Sequence, residues 1–304
     1  MNKIAIIGNG NHSKRIQFIL KKKRKNFFIY KPIKKKEDKI NFEKVKKCKI
    51  IFICSPNNTH FDYIKKLFKG RYIFCEKPPV SKKSELNKLK KINNKKIYFN
   101  FNQRFSILAD LLKKINKYKL GDLVYANRIC SHGLAFKKEY KKSWRSNILK
   151  CKKGVFEIVS IHDLDIVNFF FKIKKINKPK LINIQNKGTS FDTSLVNIET
   201  ENSGNINIFS TYSSALHDEW IFMYENGIIK LVNESLTVNG PTNNFDKKGF
   251  FIKPKLIYRK KISKRDYENS LKKSISYFLN FVKKNKNITK KHFYKSVETN
   301  SLLF

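Results

Sequence analysis

The sequence has few acidic residues: 23 Asp and Glu stand against 67 Lys and Arg, a formal charge of +44 over 304 residues. Glycine and proline are also few, at 11 and 7, which excludes collagen-like and Gly/Pro-rich low-complexity chains. Hydrophobic residues make up 40% of the chain and run through its whole length, so real cores are expected despite the charge and wholesale disorder is not. Long apolar runs are missing. Ile50-Ile51-Phe52-Ile53-Cys54 and Phe169-Phe170-Phe171 fall far short of the roughly 18 residues a membrane span needs, so no membrane partner is expected. The opening Met1-Asn2-Lys3-Ile4-Ala5-Ile6-Ile7-Gly8 passes straight into a strand-like run without a basic start and apolar signal core, which predicts a cytoplasmic chain. The five cysteines, Cys48, Cys54, Cys75, Cys130 and Cys151, show no CxxC or Cys/His spacing. They read as reduced packing residues, with no metal site expected.

Arginine is the other scarce residue, with only eight, at positions 15, 24, 71, 104, 128, 145, 259 and 265. A nucleic-acid reader gathers its basic residues on one face and favours Arg for bidentate contacts. Here lysines recur in nearly every segment, which reads as solvated charge with weak, sequence-blind attraction to polyanions. No specific nucleic-acid partner is expected. A nucleic-acid-binding protein remains the rival that a single concentrated basic face would favour.

Residues 3–7, 27–30, 49–54, 72–75 and 97–101 are short runs rich in β-branched and aromatic residues, as in buried parallel strands. Between them, residues 13–23, 59–69 and 81–92 carry apolar residues at helical spacing, and 33–47 is a charged, weaker crossover. This alternation predicts an α/β Rossmann domain with a doubly wound parallel sheet. The second half changes character. A helix near 107–117 and a strand after Gly121-Asp122 precede a long helical pattern from Gly154. Strands follow, separated by the turns Asn202-Ser203-Gly204-Asn205, Glu225-Asn226-Gly227 and Asn239-Gly240-Pro241, and helices at about 270–284 and 291–303 close the chain. A C-terminal α+β domain with a largely antiparallel sheet is expected. The predicted domains are 1–118 and 119–304.

Gly8-Asn9-Gly10-Asn11-His12-Ser13 lies where the first strand meets the first helix. Gly8 permits a tight turn and Gly10 lets the backbone approach a pyrophosphate held by helix N-terminal amides. The third glycine of the dinucleotide fingerprint is missing, and Ser13 stands there as a small residue. The carboxylate that binds ribose hydroxyls in NAD-selective proteins is missing too. The second strand ends in Tyr30-Lys31-Pro32, with Lys34 and Lys35 beyond. Those lysines suit a 2′-phosphate, so NADP is expected over NAD.

Residues 50–79 contain Ser55-Pro56-Asn57-Asn58-Thr59-His60 after a strand, Gly70-Arg71 after a helix, and Glu76-Lys77-Pro78 at the end of the next strand. This order resembles the Gfo/Idh/MocA family, the glucose-fructose oxidoreductase and inositol dehydrogenase relatives. Asn102-Gln103-Arg104-Phe105, Trp144-Arg145, Gly154, His162-Asp163-Leu164-Asp165, Phe278-Leu279-Asn280-Phe281 and 296–303 extend the resemblance over nearly the whole chain.

The resemblance implies that Lys77 lies beside the nicotinamide, where an ammonium can hydrogen-bond the reacting oxygen. It implies His162 as proton donor or acceptor for that oxygen, oriented by Asp165, with Lys77, His162 and Asp165 as the catalytic set. Cofactor contacts are expected from Gly8, Gly10, Asn11, His12, Ser13, Lys31, Ser55, Pro56, Asn57, His60, Glu76 and Lys77. Asn102, Arg104, Trp144, Arg145 and His162 are expected to hold the substrate, a sugar or nucleotide sugar, and a homodimer or homotetramer is implied.

The chain also lacks the Asp that many family members carry four residues before the histidine. Ile158 stands there, and the nearest acid, Glu157, is five residues away. On a regular helix it would point ~140° from His162, so it serves only if the helix is irregular. A non-catalytic NADP-binding regulator is the alternative that this loss favours.

Overall fold

The computed structural model describes residues 3–32, 37–92, 96–263 and 265–304. The first part alternates β1 (Ile4–Ile7), α1 (Asn11–Lys22), β2 (Phe27–Tyr30), α2 (Glu37–Lys46), β3 (Ile50–Ile53), α3 (His60–Leu67), β4 (Tyr72–Glu76), α4 (Lys83–Lys91) and β5 (Ile97–Asn100). After α5 (Ile107–Leu112) and β6 (Leu123–Ser131) comes α6 (Ile161–Phe170). Then follow β7 (Ile173–Ile176), β8 (Lys180–Ile182), β9 (Thr193–Thr200), β10 (Asn205–Thr211), β11 (His217–Tyr224), β12 (Gly227–Val232), β13 (Ser235–Asn239) and β14 (Leu256–Lys261). The chain ends in α7 (Asp266–Lys283) and α8 (Lys290–Ser301).

The first sheet is parallel, in the order β2-β1-β3-β4-β5. Its inner strands β1, β3 and β4 are buried at every position, which is why they read as unbroken apolar runs rather than as alternation. The order reverses at β1, since β2 lies on one side of it and β3 on the other. Outside the carboxyl ends of β1 and β3 is therefore the switch point where such sheets take ligands.

Two compact units divide the chain: residues 1–101 with 271–302 and 304, and residues 102–270 with 303. The expected division at 118/119 differs from this at both ends. The chain leaves the first unit after β5 and returns to it with most of α7 and with α8. Phe278 of α7 is the physical reason, since its ring lies 5.5, 5.4 and 5.9 Å from those of Phe52, Phe74 and Tyr98 on the sheet. Rings stacked on the sheet bury area that no solvated helix would give up.

The second unit is built on a mixed sheet in the order β14-β13-β12-β11-β6-β10-β9-β7, with β8 also on β9. Only β6 and β10 run parallel. The long helical pattern after Gly154 is not one regular helix: a π-helical turn, Phe156–Ser160, precedes α6. Gly154 makes that entry possible, with φ +54° and a position where a Cβ would lie 1.8 Å from the Phe191 carbonyl oxygen. Among the described residues, no helix is long and apolar enough to cross a membrane.

Candidate functional site

The predicted cofactor residues gather at the carboxyl edge of the parallel sheet. Gly8 follows β1 with φ +100°, and a Cβ there would sit 2.6 Å from the Cys54 carbonyl oxygen, so the β1 and β3 loops close on a position only glycine fits. Gly10 is the N-cap of α1, no side chain caps that end, and the first turn carries no acid. A Cβ on Gly10 would meet nothing within 4 Å. The first amides of α1 thus face open space with the positive end of the helix behind them. Ser13 takes the place of the third glycine by being wholly buried and donating to the Gly8 carbonyl at 2.8 Å. Asn11 begins α1, and Lys31 lies exposed just after β2. Lys34 and Lys35 lie outside the described residues.

Ser55, Pro56 and Asn57 continue from β3 at the same edge. Asn57 Nδ2 is buried and has no hydrogen-bond partner among the described residues, a donor that suits a ligand oxygen. An uncapped helix start, open space at Gly10 and this amide together fit the phosphates and ribose of a dinucleotide.

The next edge position is locked on both sides. Glu76 Oε1 accepts from Asn100 Nδ2 at 2.8 Å and lies 2.8 Å from His12 Nε2. Asn100 Oδ1 in turn accepts from Ser274 Oγ at 2.6 Å, and that hydroxyl meets Tyr98 OH at 2.7 Å. Burial pushes the Glu76 carboxyl up, but His12, Asn100 and Lys77 outweigh it and hold the pKa below the ordinary value. His60 is fully buried, with Nδ1 2.8 Å from the Pro78 carbonyl and Nε2 2.9 Å from that of Ser55. Burial lowers its pKa against the pull of those carbonyls and of Glu76, with Lys77 adding to the lowering. Expected as a cofactor contact, His60 instead ties the β3 loop to the residue after Lys77. The Lys77–Pro78 peptide is cis. Between Tyr72 and Val80, Lys77 is the one residue that is not buried.

In the second unit, the acids of the His162 segment hold α6 in place. Both Asp165 oxygens accept from Arg104, at 2.8 Å from Nε and 2.6 Å from Nη2, with the side chains 2% and 1% exposed. Asp163 accepts from Arg128 Nε at 2.9 Å, and Arg128 also pairs with Asp218. Burial would lower the Arg128 pKa, but the two carboxylates raise it above the ordinary value. Arg104 was expected at the substrate and Asp165 behind the His162 ring; the geometry commits them first to each other, because a planar guanidinium fork matches a carboxylate edge. Asn102 is likewise engaged, donating to Ser270 Oγ at 2.8 Å. Trp144 and Arg145 lie half-buried in a turn capped by Ser143, with the guanidinium 4.7 Å from the indole centroid.

The missing Asp before His162 has a structural answer. The π turn over Phe156–Ser160 inserts one residue into the helix. A residue five positions before His162 therefore takes the place that one four positions before it would hold on an α-helix, and that residue is Glu157, which is buried. The sequence signal was the shifted spacing itself, together with Gly154.

Replacing Asp165 with Ala should lower unfolding free energy by about 3–5 kcal/mol, because Arg104 is then buried without its counter-charge. Urea denaturation measures this, and the double replacement Arg104→Met/Asp165→Leu should recover most of the loss. Glu76 gives a pH signature. Its depressed pKa means its contribution is full above the ordinary glutamate value of about 4.5 and lost as pH falls through the lower folded value. The stability gap between wild type and Glu76→Gln should therefore be constant at neutral pH and close on acidification, as read by denaturation at stepped pH.

Comparison with known proteins agrees with this edge. Residues 3–98 match the family model GFO_IDH_MocA, described as an oxidoreductase family with NAD-binding Rossmann fold. No curated protein matches the chain. Among solved structures, a dehydrogenase (MviM) from Clostridium difficile has 18% identity and TM-score 0.72, covering 99% of this chain and 97% of its own. A myo-inositol dehydrogenase from Corynebacterium glutamicum has 16% identity and TM-score 0.70, covering 99% and 94%. A levoglucosan dehydrogenase in complex with NADH and levoglucosan has 13% identity and TM-score 0.78, covering 98% and 94%. At these identities the likeness is one of fold. The family match is confined to residues 3–98, the part of the chain it describes as the NAD-binding Rossmann fold of that oxidoreductase family.

Proposed function

We propose that the protein is a nicotinamide-dependent oxidoreductase acting on a secondary alcohol or ketone of a sugar or nucleotide sugar, with NADP preferred over NAD. One observation carries the reading: Lys77 is the single accessible residue of an otherwise buried, hydrogen-bonded segment, on the same sheet edge as the uncapped start of α1. The first unit serves as the cofactor-binding domain, and the second binds substrate and supports a homodimer or homotetramer. The levoglucosan and myo-inositol dehydrogenases among the fold relatives support a polyhydroxylated substrate.

Gly8, Gly10, Asn11, His12 and Ser13 would hold the pyrophosphate, Ser55, Pro56, Asn57 and Glu76 the nicotinamide half, and Lys31 the 2′-phosphate. His60 supports this set through the loop it ties. The nicotinamide, when bound, supplies the hydride donor or acceptor. Lys77 hydrogen-bonds the reacting substrate oxygen and stabilises its changing charge. His162 is the proposed proton donor or acceptor for the substrate, and Glu157, shifted by one residue in the π turn, the proposed acid that steadies its imidazole. Asp165, Arg104 and Asn102 act one step back, by fixing α6 and the turn before α5. Trp144 and Arg145 are left for substrate. With Glu157 in this role, the non-catalytic alternative loses the feature that favoured it.

Lys77→Ala should lower kcat at least ~100-fold while NADPH affinity stays within a few-fold of wild type. Retained turnover on an active sugar substrate would refute the role. Titration should show NADPH binding more tightly than NADH, with Lys31→Glu reducing the difference, because the 2′-phosphate loses its cation. Tighter NADH binding would overturn the preference.

A further inference from the structure

Four residues of the second unit form a cluster, of which the reading above gives a role, substrate binding, to Arg145 alone. β6 and β10 are parallel and end together, Ser131 opposite Thr211. His132 and Tyr212 therefore leave the sheet side by side, with ring centroids 4.9 Å apart. Tyr140 meets Tyr212 edge-on at 6.0 Å. Both tyrosines are buried, 3% and 1% exposed, and among the described residues neither hydroxyl has a hydrogen-bond partner. Arg145 is close enough for its charge to act on His132, Tyr140 and Tyr212 alike. Among the described residues it forms no ion pair, and its guanidinium lies 4.7 Å from the centroid of the Trp144 ring.

We propose that Arg145, the hydroxyls of Tyr140 and Tyr212, and the ring of His132 form a subsite for an anionic oxyacid group on the substrate, a carboxylate or a phosphate ester. This rests on the sugar-oxidoreductase reading above and narrows its substrate to sugars that carry such a group.

Two arguments support it. A buried hydroxyl left unsatisfied forfeits its hydration without return, and natural folds rarely keep two in one cluster without a ligand or other use for them. The second argument is the sign of the groups present. The tyrosine hydroxyls and the guanidinium offer donors. His132 brings no negative charge: burial, then the nearby Arg145 and Lys137 charges, lower its pKa against the pull of a hydrogen bond to its own backbone carbonyl. The one carboxylate acting on Tyr140 is Asp192, whose oxygens already accept from the Ile184 and Gln185 amides at 2.9 and 2.8 Å and from the Thr193 hydroxyl at 2.9 Å. Cys151, also in range, is a neutral thiol because burial and Glu157 push its pKa up. A neutral sugar hydroxyl would leave the guanidinium without counter-charge, whereas a carboxylate or phosphate matches its fork. The cluster also touches the reaction machinery. Tyr140 and Tyr212 pack with Val155, Ile158 and Val159, the residues around Glu157 on the turn that leads to His162.

The test titrates the full-length, NADPH-saturated protein with acetate, inorganic phosphate and D-glucose, following tyrosine ring signals assigned to Tyr140 and Tyr212 by NMR. At least one anion should give a saturable shift at both rings while glucose gives none, and the better anion distinguishes carboxylate from phosphate. Arg145→Gln should weaken that binding at least tenfold. Tyr140→Phe/Tyr212→Phe should weaken it too, while the melting temperature of the free protein stays level or rises, because two unsatisfied hydroxyls are gone. The proposal fails if neither anion shifts these rings, if Arg145→Gln leaves the binding intact, or if the double Phe variant loses stability and keeps its affinity. Binding is read without turnover, so a protein in which Lys77→Ala abolishes catalysis but no anion shift appears would lose this subsite and keep its proposed reaction.

Discussion

The short segment Glu76-Lys77-Pro78 is the constraint around which the first unit is arranged. Its carboxylate is bound from α1 by His12 and from β5 by Asn100, and its proline carbonyl is met by His60 from the start of α3. The elements on which these groups sit are set by the parallel order of the sheet, since β4 lies between β3 and β5. A lysine on a free loop would sample many rotamers. One flanked by two anchored, buried neighbours has its backbone fixed, and only the four-carbon stem and ammonium remain to be placed. The chain Glu76, Asn100, Ser274, Tyr98 carries this anchoring down to α7, so the returning C-terminal helix supports the same edge that it packs beneath.

The second unit solves the same problem with ion pairs. Two buried Arg–Asp pairs, Arg104–Asp165 and Arg128–Asp163, fasten α6 to the turn before α5 and to β6. Neither pair is expected to add much net stability over an apolar pair of the same shape. What they add is direction: each carboxylate accepts from one guanidinium in one geometry, which sets the rotation of α6 and hence where His162 points. The π turn just before α6 is the irregularity this rigid helix tolerates, and Gly154 allows the backbone to enter it.

The charge of the chain separates by residue type. Among the described residues no lysine is buried, while two of the eight arginines are, each paired with carboxylates. A strongly hydrated ammonium stays in water and a delocalised guanidinium can be taken inside when a carboxylate matches it. The lysines therefore coat the exposed faces of α1, α3, α4 and α7, and the high net charge has little bearing on how the interior is built.

Much of this was legible along the chain, because it depends on local pattern. Unbroken apolar runs marked the buried strands β1, β3 and β4, and the Gly8 and Gly10 spacing marked a strand-to-helix turn. Glu76-Lys77-Pro78 stood out as a motif. Pairings between distant residues were not legible. His162-Asp163-Leu164-Asp165 suggested a catalytic acid behind the histidine, yet the partners of both acids, Arg104 and Arg128, come from elements 61 and 35 residues away. The five-residue gap from Glu157 to His162 looked like a loss because sequence spacing assumes a regular helix, and only the fold reveals a π turn. The sequence by itself determined the strand and helix order of the parallel-sheet unit and the residue types at its carboxyl edge, since these follow from side-chain periodicity and backbone freedom. The tertiary structure alone decided which charges meet, which histidine serves as a clamp, and which two tyrosines are buried together with unpartnered hydroxyls, because those depend on which residues the packed sheets and helices bring close to one another.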